Sequence, residues 1–186
     1  MFINIVSNYS GLKYMELNFR VATKNDSEEI ASLVNRAYRP NESDAGWTHE
    51  SNLVAGIRIS TEQVLSLFED NSAILLLCNK SKIVACVHVQ GGDLKTYIGM
   101  LATDPRKQAS GIGKKMLNHA EQYAKVNFGN VIYNMSVLSS RPELLSFYER
   151  RGYVLTGEVG EYPMSAGVGK PIVDEIKVLF LEKKLP

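Results

Sequence analysis

Leu17, Phe19 and Val21 alternate with polar neighbours, the period-two pattern of a half-buried strand. Ile30, Leu33, Val34 and Ala37 recur at three- and four-residue intervals, which predicts a first helix that stops before Pro40. Past a polar stretch from Pro40 to Arg58, Val64, Leu65 and Phe68 predict the inward face of a second helix, Thr61 to Glu69, with Thr61 as its cap. Two apolar runs follow, Ser72 to Cys78 and Ile83 to Gln90. The polar link Asn79-Lys80-Ser81-Lys82 makes them a hairpin. Gly91-Gly92-Asp93 turns into a central strand, Lys95 to Thr103. The helical period returns in Ile112, Met116, Leu117, Ala120, Tyr123 and Ala124. Val131 to Leu138 is a strand again. Pro142 opens a helix carrying Leu144, Leu145, Phe147 and Tyr148, and Gly152 closes it. Val154 and Leu155 begin a strand, Glu158 to Pro171 reads as a glycine-rich loop, and Ile176 to Leu181 is the last strand. This succession predicts an α/β domain with a mixed central sheet flanked by helices. It spans residues 15–186. Residues 1–14 read as an N-terminal extension, and Met15 is itself a candidate start.

Composition narrows the function classes. Twenty-one Lys and Arg against twenty Asp and Glu give a net charge of +1, which argues against a chain-wide basic surface for nucleic acid. No apolar run approaches the length of a membrane span, and the N-terminus has neither the basic lead nor the long apolar core of a secretory signal. A reducing cytoplasm is the expected location. Cys78 and Cys86 lie in apolar strands and read as buried free thiols. His49, His88 and His119 are scattered, so no metal site is expected, and His88, between Val87 and Val89, reads as a core histidine with its bonds satisfied.

The stretch richest in chemistry joins the central strand to the long helix: Asp104-Pro105, then Arg106-Lys107-Gln108-Ala109-Ser110-Gly111-Ile112-Gly113-Lys114. Amide N–H groups at a helix start lack intrahelical partners and carry the positive end of the helix dipole. Gly111 and Gly113 leave the backbone open to close approach, and Lys114 and Lys115 add charge. This is the composition of a phosphate cradle. A strand-to-helix turn with glycines for clearance fits the same residues. The pattern is neither the Walker loop nor G-x-G-x-x-G.

Gln108-Ala109-Ser110-Gly111-Ile112-Gly113 resembles the Gln/Arg-x-x-Gly-x-Gly/Ala signature of the GNAT superfamily of N-acetyltransferases. Leu144-Leu145-Ser146-Phe147-Tyr148-Glu149-Arg150-Arg151-Gly152-Tyr153 resembles its second motif, a helix with an aromatic-Tyr pair ending in Gly-Tyr. The resemblance covers residues 16–186. It implies the acyl-CoA N-acyltransferase fold, with a mostly antiparallel sheet, and acetyl-CoA as cosubstrate without a metal. It also implies a pyrophosphate held by the backbone of Gln108, Ala109, Ser110, Gly111, Ile112, Gly113 and Lys114. Leu101, Ala102 and Thr103 would line the pantetheine, with the Leu101 N–H polarising the thioester carbonyl. Tyr148 would donate a proton to the departing thiolate, although as an amphipathic helix residue it also fits a packing role.

Two departures from the pattern stand out. Arg141 occupies the place, seven residues before the motif tyrosine, where many relatives carry a cofactor-binding asparagine. It is expected either on the cofactor or as a solvated loop residue. The central strand lacks the carboxylate that relays the amine proton in many relatives. The acceptor side then falls to Glu42, Trp47 and Glu50 in the polar loop, an acid and aromatic set suited to an amine, though Thr48 and Trp47 would equally suit a capping loop. The acceptor is a small-molecule or peptide amine of unspecified identity, with no nucleic-acid or membrane partner expected and a homodimer left open. A catalytically silent acyl-CoA-binding sensor or scaffold module is the alternative.

Overall fold

The structure is a computed structural model that describes residues 16–40 and 46–185; the expected extension 1–14 and Glu42 lie outside them. Strands β3 (Ser72–Asn79) and β4 (Lys82–Gly91) form the predicted hairpin, with Asn79 opposite Lys82. Their runs Ile-Leu-Leu-Leu-Cys and Ile-Val-Ala-Cys-Val are buried on both faces, so alternation vanishes where a sheet is covered twice. β1 (Leu17–Val21) pairs with β3, and β5 (Thr96–Thr103) with β4. Beyond β5 come β6 (Ile132–Leu138), β9 (Lys177–Lys184) and β7 (Val154–Glu161), giving the order β1-β3-β4-β5-β6-β9-β7. Among the described residues only the β5–β6 pair is parallel. The mixed, mostly antiparallel sheet is as expected.

Helix α1 (Ser27–Tyr38) covers one face, burying Ile30, Leu33, Val34 and Ala37 against Ile74, Leu76, Cys78 and Cys86. Helix α3 (Ile112–Asn127) covers the other with Ile112, Met116, Leu117, Ala120 and Ala124 against Leu75, Leu77, Val87 and Ile98. α4 (Pro142–Glu149) lies on that same core. One polar residue is buried on α3: Glu121, 6% exposed, accepts from Tyr153 Oη at 3.0 Å and Lys183 Nζ at 2.7 Å. Both cysteines are buried free thiols. No helix among the described residues is long and apolar enough to cross a membrane.

Three local readings are corrected. The second helix, α2, is only Thr61–Ser66, and its cap is Ser60, whose Oγ accepts from the Gln63 N–H while Gln63 Oε1 takes the Ser60 N–H. Leu65 faces outward at 40% exposure, and Val64 is the buried member. β7 continues to Glu161, into the expected loop. It is an edge strand held by its backbone pairing to β9 and solvated along its length, so its side chains carry no apolar alternation. Within the glycine-rich stretch, β8 (Lys170–Pro171) pairs with β2 (Val54–Ala55).

The sheet opens at its centre. β5 and β6 pair only at Thr96↔Tyr133 and Tyr97↔Asn134. The β4–β5 register shifts between Cys86 and His88: Met100 and Leu101 together oppose Val87, so the bulge lies on β5, where Met100 takes φ +50°. A bulge increases local twist and bends its strand; past it, β5 and β6 form no further pairs.

Candidate active site

The loop after β5 is built from Asp104, 2% exposed. Its carboxylate accepts from the Arg106 N–H at 3.0 Å and from the Arg106 guanidinium at 3.1 and 3.0 Å. Burial alone would raise that carboxyl's pKa; the Arg106 contacts outweigh it and hold it below the usual range. The chain enters α3 at Gly111 with φ +79°, a left-handed conformation that glycine adopts freely. The Lys115 N–H to Gly111 O bond, 3.1 Å, closes the first helical turn, which leaves the N–H groups of Ile112, Gly113 and Lys114 without intrahelical partners. These residues line a groove with Gln108, Ala109, Thr48, Trp47, Phe147 and Arg151. A Cβ on Gly113 would stand 3.5 Å from Phe147 Cζ, at the groove's wall. Gln108 points inward: its Nε2 donates to Thr48 Oγ1 at 2.7 Å, while its Oε1 is buried without a partner among the described residues. Open amides, a wall kept clear by glycine and an unpaired buried acceptor fit the polar stem of a phosphopantetheine.

The same groove leads to β5. The Asp104 N–H donates to Val84 O at 2.9 Å, so by alternation Ala102 also turns its peptide groups to β4, and those of Thr103 face the open wedge; Leu101 lies in the bulge beside it. Leu101 O there accepts from Tyr38 Oη at 3.1 Å. Ala102, with its peptide toward β4 and its methyl 2% exposed in the core, offers the cofactor no polar group, so the expectation for it is withdrawn.

Tyr148 stands between two spaces. It lines the narrow channel of Trp47, Thr103, Gly113 and Phe147, and also the larger cavity bounded by Glu50, Arg58, Tyr97, Ser136, Arg141 and Tyr162. Tyr38, Leu101 and Leu144 share both walls with it. Its ring packs edge-on to Phe147 and Tyr153, at 5.1 and 6.0 Å between centroids. Burial pushes its phenol well above the ordinary value, so the hydroxyl holds its proton at neutral pH. No described residue hydrogen-bonds that hydroxyl, which leaves it available to a ligand.

Two expected residues change sides. Arg141, 4% exposed, borders the larger cavity and not the groove at the start of α3. It precedes Pro142, and its Nε donates to Glu143 Oε1 at 2.5 Å. Trp47, 44% exposed, borders the groove and the channel. Thr48 is a hydrogen-bond partner of Gln108 and not a helix cap. Glu50 does reach the larger cavity, where Oε1 is bound by Arg39 and Oε2 lies 3.7 Å from Arg141 Nη1. Tyr38, Arg58, Tyr97 and Tyr162 are cavity residues that sequence reasoning missed. The first two carry the one available signal, an aromatic and a cation bracketing the polar loop. His88 is a satisfied core residue, 2.9 Å from Ser72 Oγ, and burial lowers its pKa to about 4.

The acetyltransferase (GNAT) domain family matches residues 70–155, from β3 through the start of β7. A curated Bacillus subtilis protein, S-(2-succino)cysteine N-acetyltransferase, is 26% identical over 157 residues, covering 77% of this chain and 88% of its own. The Escherichia coli ribosomal-protein-S18-alanine N-acetyltransferase superimposes with a TM-score of 0.66 at 16% identity, over 90% of this chain and 93% of that one. A GNAT family acetyltransferase from Elizabethkingia anophelis, solved with acetyl-CoA bound, gives 0.64 at 15% identity, over 91% and 98%. These two likenesses show the fold.

Proposed function

We propose that this chain, a GNAT-type acetyl-CoA-dependent N-acetyltransferase, binds the donor along the groove that ends at Tyr148 and transfers its acetyl group to a small amine held in the larger cavity. The observation that carries this reading is the position of Tyr148, Tyr38 and Leu101 in the wall common to both spaces. The amides of Ile112, Gly113 and Lys114, with the Lys114 charge, take the pyrophosphate. The Leu101 and Thr103 peptides bond the pantetheine. The amine nitrogen attacks the thioester carbonyl, and the Leu101 N–H stabilises the oxyanion that forms. As the C–S bond breaks, Tyr148 gives its proton to the sulfur. The amine proton leaves to water through the cavity, because both oxygens of Glu50 already face arginines. Holding both reactants on one wall supplies much of the rate by removing their freedom to misalign.

The test is CoA release from acetyl-CoA with a panel of small amines, S-(2-succino)cysteine among them. At least one amine should give saturable release with formation of its acetamide. Tight acetyl-CoA binding with no release from any amine would favour a silent binding module.

A further inference from the structure

We infer that the larger cavity selects amines that carry a carboxylate, held by Arg141 and Arg58; this rests on reading the cavity as the acceptor site. Arg141 is 4% exposed, yet its bonds are incomplete. Nε is satisfied by Glu143, Nη2 reaches Trp47 O only at 3.5 Å, and Nη1, 3.7 Å from Glu50 Oε2, has no hydrogen bond among the described residues. An unbonded polar nitrogen on a buried cation is costly, and a ligand oxygen within reach of it removes that cost. Arg58 borders the same cavity. Its guanidinium lies 5.3 Å from the centre of the Tyr38 ring, and it forms no ion pair among the described residues.

The charge balance points the same way. Glu50 is the single carboxylate among the described lining residues; Arg39, just behind it, binds one of its oxygens and Arg141 Nη1 lies 3.7 Å from the other. Two guanidiniums therefore face a space whose own acid is neutralised. A guanidinium presents several N–H donors in a plane, a geometry that matches a carboxylate and not a point charge. The four tyrosines of the lining, Tyr38, Tyr97, Tyr148 and Tyr162, add no charge at neutral pH. A simple aliphatic amine, cationic before it reacts, would leave Arg58 without an ion pair and Arg141 Nη1 without a hydrogen bond among the described residues. An amino acid brings its own carboxylate to them while its amine turns to the shared wall.

The experiment uses the full chain with saturating acetyl-CoA. It compares kcat/KM for each of the twenty amino acids with that for the amine each gives on decarboxylation. At least one amino acid should exceed its decarboxylated partner by about tenfold or more, equivalent to about 1.4 kcal/mol. Arg58→Gln should raise KM for the favoured amino acid by a similar factor, with a smaller change in kcat and an unchanged Kd for acetyl-CoA. Arg141→Gln should do the same where it folds; Arg58 is half-buried and unpaired, so its variant decides the matter if Arg141→Gln does not fold. Decarboxylated amines that match or beat their amino acids, or an Arg58→Gln variant with unchanged preference, would overturn the clamp and leave the transfer reading standing. Turnover of neither class would overturn both.

Discussion

The position of Tyr148 was legible from its motif because a helix that ends at a glycine fixes which turn faces the sheet. Gly152 does sit at φ +86° just past α4. Arg141 and Trp47 border other spaces than the sequence suggested, for a physical reason. Both are long side chains beside turns, and the direction of such a chain depends on partners distant in sequence: Glu50 for Arg141, and Phe147 for Trp47. His88 gives a prediction at this scale. Its pKa is depressed by burial to about 4 from 6.5, so the unfolded chain takes up the proton first and stability falls as pH drops from about 6.5 towards 4. Between pH 7 and 4.5 the wild type should lose about 2 kcal/mol more than His88→Gln, at about 1.4 kcal/mol per unit. Urea midpoints at the two pH values measure this, and parallel losses would show that His88 titrates normally.

At the scale of elements, the two glycines of the loop do different things, a distinction that spacing alone does not carry. Gly111 meets nothing within 4 Å where a Cβ would be, and its demand is the positive φ. Gly113 has room only up to Phe147. Gly111→Ala should therefore destabilise the fold by about 1–2 kcal/mol, the cost of a left-handed L-residue. Gly113→Val should leave thermal stability near wild type, since valine is the better helix former, while its branches fill the groove and weaken acetyl-CoA binding at least about tenfold. Calorimetric Kd values with melting curves separate the two; equal Kd values for Gly113→Val and wild type would mean that the donor does not pass this wall. The segment from Trp47 to Glu50 was the least legible element. It touches the groove through Thr48 and Gln108 and the cavity through Glu50, contacts that exist only once α1, β5 and α4 are packed.

At the scale of the whole molecule, the succession of elements and the buried faces of α1 and α3 followed from periodicity, since these helices and the strands β3 and β4 bury what their patterns said they would. The opening between β5 and β6 did not. It arises from one bulge at Met100 and Leu101 and a parallel pair two residues long, and neither leaves a mark in composition. That wedge is what allows a groove on one side of the sheet's centre to meet a cavity on the other, with Tyr148 in the wall. The most direct test is Tyr148→Phe, which keeps the ring and its contacts with Phe147 and Tyr153 and removes only the proton donor. With any accepted amine, kcat should fall about 10- to 100-fold, at or below the low end of general-acid effects, while the Kd for acetyl-CoA and the melting temperature stay within error of wild type. A kcat within about twofold of wild type, well short of that range, would contradict proton donation at the shared wall and leave Tyr148 as a packing residue.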